Sequence, residues 1–348
     1  MLFDKIGKIG IVGISGLVGE KILESLNLLN IKFKELRIFA SESSKGKIIK
    51  FRNDNLICEV FDMDRMNDFD YLILAVDNDI ARNIIEYKKY KKFNTIIIDN
   101  SSEYRLDSDV PLIVPEINSN KLENSQIISN PNCSTTMLVM LLAPLLKLQQ
   151  IRKVTVSTYQ AASGAGKIGL QELLTQTQEC VEGRELTIDF WKRQYVFNVF
   201  SHNSKITDNY YNQEEMKIVN ETNKILEGKY KQPFIINPTC VRVPTLTSHC
   251  LSVNVEFLND VELYQIYDVL EKFPGIRIDE NVSMNSFPEP IKTTNKTDIY
   301  VGRIRPELDV EGKYNYKSYN FFVSGDQLLK GAAYNSVQIL KHMIDSSI

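Results

Sequence analysis

The sequence predicts an α/β protein of two domains, a parallel sheet wrapped by helices followed by a mixed α+β unit. Short β-branched runs at residues 9–12, 36–40, 71–76 and 95–99 alternate with stretches of helical length at 17–29 and 79–90, the pattern of βαβ units. The alternation stops after Asn132, and residues 137–148 are so uniformly apolar that a helix there must be buried nearly all round. With 348 residues and 43% hydrophobic content, the chain is long enough to bury more than one core.

Taken in order, residues 9–12 form the first strand and a glycine turn feeds the helix at 17–29. Asp77, Asn78 and Asp79 offer side chains able to cap the helix at 79–90. Beyond the apolar helix, a strand at 154–159 enters a glycine-rich turn, followed by a polar helix at 171–180 and a charged one at 213–226. Runs at 251–257 and 319–323 read as strands, and 263–273 and 328–343 as helices. The expected division is a first domain at 1–130 and a second at 131–326, with a C-terminal helix at 327–348 packing back onto the first.

A net charge of −3, from 41 basic and 44 acidic side chains, provides no field for nucleic acid or an anionic membrane. Neither partner is expected. Met1-Leu2-Phe3-Asp4-Lys5 does not open a secretory leader, and no later run approaches the roughly 20 apolar residues that span a bilayer. A cytoplasmic protein is the expectation. The five cysteines, Cys58, Cys133, Cys180, Cys240 and Cys250, are odd in number, far apart and free of any CxxC pair. They support neither a disulfide framework nor a metal site.

Gly13, Gly16 and Gly19 follow an apolar strand and open a helix, where absent side chains let a phosphate reach backbone N–H groups and the helix's positive end. The first domain is therefore expected to be Rossmann-like, with a dinucleotide lying on Gly13, Ser15, Gly16, Leu17 and Val18. The spacing is GxxGxxG rather than the commoner GxGxxG. Where an NAD site places an acidic residue for the ribose hydroxyl, Phe39-Ala40-Ser41 is neutral and is followed by Ser43, Ser44, Lys45 and Lys47. Hydroxyls and cations suit a 2′-phosphate, so NADP is the expected cofactor.

Ser129-Asn130-Pro131-Asn132-Cys133-Ser134-Thr135-Thr136 precedes the apolar helix, which puts Cys133 at its first turn. The helix dipole favours a thiolate there. The remaining four cysteines read as buried structural residues. A nucleophilic thiol needs an acid/base partner, and three histidines are available. His202 and His342 read as surface residues. His249 precedes an apolar run and follows Arg242, a possible carboxylate ligand, by seven residues. Pro244 interrupts any regular strand between them, so spacing leaves open whether they face one site.

These segments resemble one family. Ser129-Asn130-Pro131-Asn132-Cys133, Tyr159-Gln160-Ala161-Ala162-Ser163-Gly164-Ala165-Gly166 and Arg242-Val243-Pro244 with His249 are similar, in order and spacing, to the signatures of aspartate-semialdehyde dehydrogenases. The resemblance extends through Asn100-Ser101-Ser102-Glu103-Tyr104-Arg105, Val114-Pro115-Glu116-Ile117-Asn118, Glu214-Glu215-Met216-Lys217 and Gly331-Ala332-Ala333. It implies that Cys133 is the acyl-thioester nucleophile, Gln160 orients the substrate and His249 accepts and returns protons. It also implies that Arg242 binds the substrate carboxylate, Glu214 faces its amino group, and Arg105, Asn132 and Lys217 form a phosphate site. Ser163, Gly164 and Gln327 would touch the dinucleotide. The chain departs from the family at Ser43, where bacterial members often carry an arginine, and at Gln327, where an asparagine is common.

The reaction so implied is NADPH-dependent reduction of aspartyl phosphate to aspartate semialdehyde and phosphate. Its product feeds lysine, threonine and methionine synthesis, the first through diaminopimelate, and the enzyme would be a homodimer or homotetramer built on a catalytic and dimerisation domain. N-acetyl-glutamyl-phosphate reductase shares the logic, but its usual Pro-Gly-Cys context is absent. Glyceraldehyde-phosphate dehydrogenase fits worse, since its nucleophile normally lies in Cys-Thr-Thr-Asn. A silent NADP sensor would not need Cys133, Gln160, Arg242 and His249 together.

Overall fold

The computed structural model describes residues 7–346. The opening residues 1–5 and the last two positions of the expected C-terminal helix lie outside them. The chain divides into two compact units, one of the residues up to Asn132 with those from Ala332 onward, the other Cys133–Gly331.

The first unit runs β1 (Lys8–Val12), α1 (Leu17–Leu28), β2 (Glu35–Phe39), β3 (Ile48–Phe51), β4 (Asp54–Glu59), β5 (Tyr71–Leu74), α2 (Asn78–Lys91), β6 (Ile96–Asp99), α3 (Pro115–Asn118) and β7 (Ile127–Ser129), with α9 (Tyr334–Ser346) from the chain's end. Its sheet has the order β3-β4-β2-β1-β5-β6-β7. Every pairing is parallel except β3 with β4. Parallel strands buried on both faces must be apolar throughout, which is why Ile9, Ile11, Leu72, Ile73, Leu74, Ile97 and Ile98 are almost wholly buried. One face packs Ile22 and Leu26 of α1 beside Val337 and Leu340 of α9, and the other packs Ala81, Ile84 and Ile85 of α2. Strand order reverses at β1, the switch point at which ligands bind in open α/β sheets.

The structure corrects two local readings. Asp77 is the N-cap of α2, yet its side chain makes no capping bond; Asn78 instead bonds Ser102 and Asp79 holds Arg82. The stretch expected as one helix at 328–343 begins with a π-helical turn, Leu329–Ala333, before α9.

The second unit runs α4 (Cys133–Leu145), β8 (Ile151–Gln160), α5 (Gly166–Val181), β9 (Phe200–Ser201), α6 (Gln213–Leu226), β10 (Ile235–Arg242), β11 (His249–Phe257), α7 (Leu263–Glu271), β12 (Ile276–Ile278), α8 (Pro290–Thr293), β13 (Ile299–Leu308) and β14 (Tyr314–Gly325). These strands make one mixed sheet, β12-β13-β14-β11-β8-β10-β9. Every α4 residue after Cys133 is buried, because the helix lies between the sheet and both α6 and α7. The opposite face of the sheet carries no helix along Thr155, Ser157 and Tyr159 of β8 or Ser252 and Asn254 of β11, and these residues are only partly covered. Among the described residues no helix is long and apolar enough to cross a membrane, and no cluster of His, Cys, Asp and Glu could hold a metal.

Candidate active site

Three neighbouring strands of the second unit end together, and each ends on a candidate residue. Arg242 closes β10 in register with Gln160, which closes β8, and His249 opens β11 one step beyond the Cys250–Tyr159 pair. Side chains alternate along a strand. Gln160 has the parity of buried Val154 and Val156, Arg242 that of Ile236 and Cys240, and His249 that of Leu251 and Val253. All three therefore turn to the helix-covered face. The loop with Pro244 carries the chain across the end of β8, so it separates Arg242 from His249 in sequence and not in space.

The backbone of one residue ties Arg242 and His249 together. The Ala161 N–H donates to His249 Nδ1 at 3.0 Å, and the Ala161 carbonyl accepts from Arg242 Nη1 at 3.1 Å. Arg242 also reaches Asn203 Oδ1 at 3.4 Å and stands over the Trp191 ring, 5.4 Å from its centroid. Behind them the Tyr195 hydroxyl donates to the Val243 carbonyl at 2.8 Å and steadies the turn out of β10.

Gln160 links this row to two helix starts. Its Nε2 donates to Glu214 Oε1 at 3.0 Å and to Ser134 Oγ at 2.9 Å. Glu214 sits in the first turn of α6, where Asn212 and Glu215 form a reciprocal capping box, and a carboxylate there is favoured by the helix dipole. Its second oxygen lies 3.3 Å from Lys217 Nζ. Cys133 opens α4 next to Ser134 and is half-buried. Gly331 lies against it, for a β-carbon on Gly331 would stand 2.7 Å from Cys133 Cβ.

Burial sets the charge states here. It lowers the Arg242 pKa, which Glu214 and the Cys133 thiol push back up. Burial, aided by Arg242, pushes His249 down to about 3. Burial raises the thiols of Cys58, Cys240 and Cys250, the last to about 11, so these three are inert at neutral pH. Gln160 Oε1, His249 Nε2 and Gln327 Oε1 are buried without a hydrogen-bond partner in the protein. Such atoms are uncommon in folded proteins, and these three are open to a bond from a water or a ligand.

Ser163 and Gln327 meet through a bond from Gln327 Nε2 to Ser163 Oγ. Gly164 lies where a β-carbon would come within 3.1 Å of both Arg242 Nη1 and His249 Nε2. In the first unit, Gly13 has φ +94° and a β-carbon there would strike the Ala75 carbonyl at 2.2 Å, while one on Gly19 would strike the Gly13 carbonyl at 2.4 Å. Gly16 caps α1 with no side-chain bond, leaving Ser15, Leu17 and Val18 around an open helix start. Past the end of β2, Ser41 and Ser43 hydroxyls lie 2.9 Å apart and Lys47 reaches Ser44 at 3.3 Å, whereas Lys45 pairs with Glu42. Arg105 donates to the Asn100 carbonyl at 2.9 Å, and buried Asn132 immediately precedes α4.

Sequence reasoning overlooked His202. It feels the charges of Arg242, Glu214 and Lys217, and burial pushes it down to about 4. Only the pairing of β9 with β10 brings it here, and a two-residue strand carries no periodic signal. Ser134, Asn203 and the Ala161 backbone were likewise invisible as partners.

Residues 8–125 match the family model "semialdehyde dehydrogenase, NAD binding domain", and residues 142–330 match "semialdehyde dehydrogenase, dimerisation domain". The chain is 38% identical over 331 residues to an aspartate-semialdehyde dehydrogenase of Prochlorococcus marinus, covering 95% of this chain and 94% of the relative. It is 34% identical over 335 residues to that of Bacillus subtilis, covering 94% of each. The solved structure of aspartate semialdehyde dehydrogenase II from Vibrio cholerae, complexed with ASA, superposes with a TM-score of 0.89 at 32% identity over 99% of both chains. By this likeness over nearly its whole length, the chain belongs to the aspartate-semialdehyde dehydrogenase family.

Proposed function

We propose that the chain converts L-4-aspartyl phosphate and NADPH to L-aspartate 4-semialdehyde and phosphate through a thioester on Cys133. The observation that carries this reading is the row of Arg242, Gln160 and His249 at three adjacent strand ends, with Gln160 bonded both to Glu214 and to Ser134, the neighbour of Cys133 in α4. An α-amino acid offers a carboxylate and an ammonium, which ask for a cation and an anion held apart. Arg242 and Glu214 supply them, with Gln160 between.

The protein also suits a dinucleotide. Gly13 and Gly19 leave a turn that no β-carbon could enter, α1 begins without a side-chain cap, and Gln327 keeps an unpartnered acceptor beside Ser163. Gly13, Ser15, Gly16, Leu17 and Val18 would hold its phosphates, Ser43 and Ser44 the 2′-phosphate that distinguishes NADP, and Ser163, Gly164 and Gln327 its nicotinamide end. When bound, NADPH supplies the hydride that side chains lack.

In the forward direction the Cys133 thiolate attacks the acyl carbon and expels phosphate, leaving the thioester. The start of α4 favours that thiolate. Gln160 fixes the acyl chain, and Arg105, Asn132 and Lys217 are assigned to the phosphate. After reduction, the thiohemiacetal on Cys133 collapses to the aldehyde and regenerates the thiolate. The sheet face without helices, through Thr155, Ser157, Ser252 and Asn254, is the surface assigned to self-association as a homodimer or homotetramer. Partners are small molecules only, in keeping with a net charge of −3, and the compartment is the cytoplasm.

The test is phosphate-dependent NADP reduction by the purified protein with aspartate semialdehyde, beside N-acetyl-glutamate semialdehyde and beside NAD. Turnover with the aspartyl substrate that vanishes in Cys133→Ser is expected. Unchanged turnover in that variant, or none with either aldehyde in the wild type, overturns the reading.

A further inference from the structure

We infer that Trp191 is a positioning residue of the substrate site, its indole ring backing the Arg242 guanidinium and setting the fork that receives a substrate carboxylate. This rests on the reading of Arg242 as the carboxylate ligand and adds the residue through which that ligand is held.

The guanidinium carbon stands 5.4 Å from the centre of the Trp191 ring, within reach of the attraction between a cation and the negative face of an indole. Arg242 is only 4% exposed. A charge so far from water needs compensation nearby. The bonds it makes go to neutral acceptors, the Ala161 carbonyl at 3.1 Å and Asn203 Oδ1 at 3.4 Å. Burial works against the charge, and Glu214 works for it. The indole face is the further group in contact that favours a cation, and it leaves the N–H edge of the fork to a ligand.

Trp191 is itself held from several sides. Its Nε1–H donates to the Gly169 carbonyl at 2.9 Å, and a β-carbon on Gly169 would stand 2.8 Å from the indole carbon Cζ2. The Tyr195 and Phe200 rings meet it edge-on, with centroids 4.6 and 6.0 Å away. Residues 184–199 form neither helix nor strand, so no ladder of backbone bonds orders the segment. Side chains of α5 do so instead. Glu172 accepts from the Trp191 and Phe190 N–H groups, Gln176 from the Tyr195 N–H at 2.7 Å, and Glu179 from the Thr187 N–H at 2.7 Å.

Glu172, Gln176 and Glu179 are spaced by four and three residues and so share one helix face. All three are more than nine-tenths buried. Burying three polar groups to fix a loop goes beyond what filling a small core requires, since any apolar side chain of similar size would exclude water there. What the arrangement gains is a defined place for the ring beside the cation. A desolvated contact of this kind is worth about tenfold or more in affinity.

Trp191 is the chain's single tryptophan, so its emission reports the charge beside Arg242 without interference. The experiment titrates the purified full chain carrying Cys133→Ser, which cannot capture the aldehyde, with L-aspartate semialdehyde. The expected result is a saturable shift of the emission, absent with 3-aminopropanal, which lacks the carboxylate. No shift, or the same shift with both compounds, overturns the proposal. A kinetic arm compares Trp191→Leu, which keeps an apolar side chain, with Trp191→Phe, which keeps an aromatic face; both lose the bond to Gly169. Each is assayed at a temperature where circular dichroism shows it folded. The leucine variant is expected to raise KM for aspartate semialdehyde about tenfold, with a smaller change in kcat and in KM for phosphate, and the phenylalanine variant to raise it about threefold. Equal increases in the two variants, or a fall in kcat with KM unmoved, reduce Trp191 to a core residue and overturn the proposal. Absence of turnover in the wild type, with the emission shift intact, would sink the dehydrogenase reading and still support Trp191 as part of a carboxylate site.

Discussion

Gly331→Ala tests how closely the π-helical turn sets the position of the nucleophile. The new β-carbon would fall 2.7 Å from Cys133 Cβ and 3.1 Å from its Cα, whereas carbon atoms in contact keep about 3.5–4.0 Å. The two segments must therefore separate by roughly 1 Å. Neither can yield easily, because the neighbouring residues Leu329 and Lys330 are fully buried and α4 beyond Cys133 is buried throughout. A misplacement of about 1 Å costs on the order of 100-fold in rate, or about 2.7 kcal/mol of barrier. Overpacking of a tight core adds a stability loss of about 1–3 kcal/mol. The assay is kcat for phosphate-dependent NADP reduction at saturating substrate, at a temperature where circular dichroism shows the variant folded, together with the rate of thiol alkylation by iodoacetamide. A kcat within about twofold of wild type, equivalent to roughly 0.4 kcal/mol, would refute the claim that Gly331 is small because Cys133 needs the room.

Glu214→Gln removes the carboxylate that Gln160 and Lys217 share. It is expected to raise KM for aspartate semialdehyde about tenfold or more with a smaller change in kcat, which initial-rate kinetics will show. Asn335→Leu deletes donors to the Ile113 carbonyl at 2.9 Å and to Asn130 Oδ1 at 2.7 Å in the first unit, so urea denaturation should show a loss of about 1–3 kcal/mol. His202 and His249 have folded-state values near 4 and 3, both below the ordinary 6.5. The unfolded chain therefore binds more protons as acidity rises, so their contribution is intact above about pH 6.5 and drains away as pH falls through that value toward about 4 and 3. Urea midpoints should fall between about pH 7.5 and pH 5, and His202→Asn should flatten that slope; an unchanged slope would remove His202 from the account.

Much of this architecture was legible because its signals are local. The central strands β5 and β6 of the first sheet are short, nearly continuous apolar runs, and the glycine turn announces itself by residue type alone. The elements that escaped depend on distant partners. The β3–β4 hairpin turns through Arg52 and Asn53, with Arg52 at φ +54° and no glycine to mark it. β10 contains Pro238, which argues against a strand. The structure tolerates it because β9 pairs only with Val241 and Arg242, leaving β10 an edge strand at the proline. β13 carries Gly302 and Pro306 at register shifts, so its alternation is broken in the sequence as well as in the sheet. At the site, Cys133, Gln160, Arg242 and His249 could be named from motif context. Their mutual geometry could not, because it follows from the register of β8, β10 and β11.

That distinction bears on which groups at this site are replaceable. Arg242 and His249 are both held by the Ala161 backbone, one through its carbonyl and the other through its N–H. Every residue but proline carries such a group, so no choice of side chain at position 161 advertises the role. The position is fixed instead by what surrounds it: Ala162 and Ser163 continue past the end of β8 by donating to the Thr245 and Leu246 carbonyls at 2.9 and 3.1 Å. Those bonds hold the turn with Pro244 against the end of β8. The same turn thus brings Arg242 and His249 to the ends of flanking strands and holds the Ala161 backbone that orients them. A substitution that loosens the turn would disturb the cation and the imidazole together, whereas one at either side chain would disturb one. Side-chain motifs show which chemistry is present, and the backbone bonds between them determine where Arg242 and His249 stand.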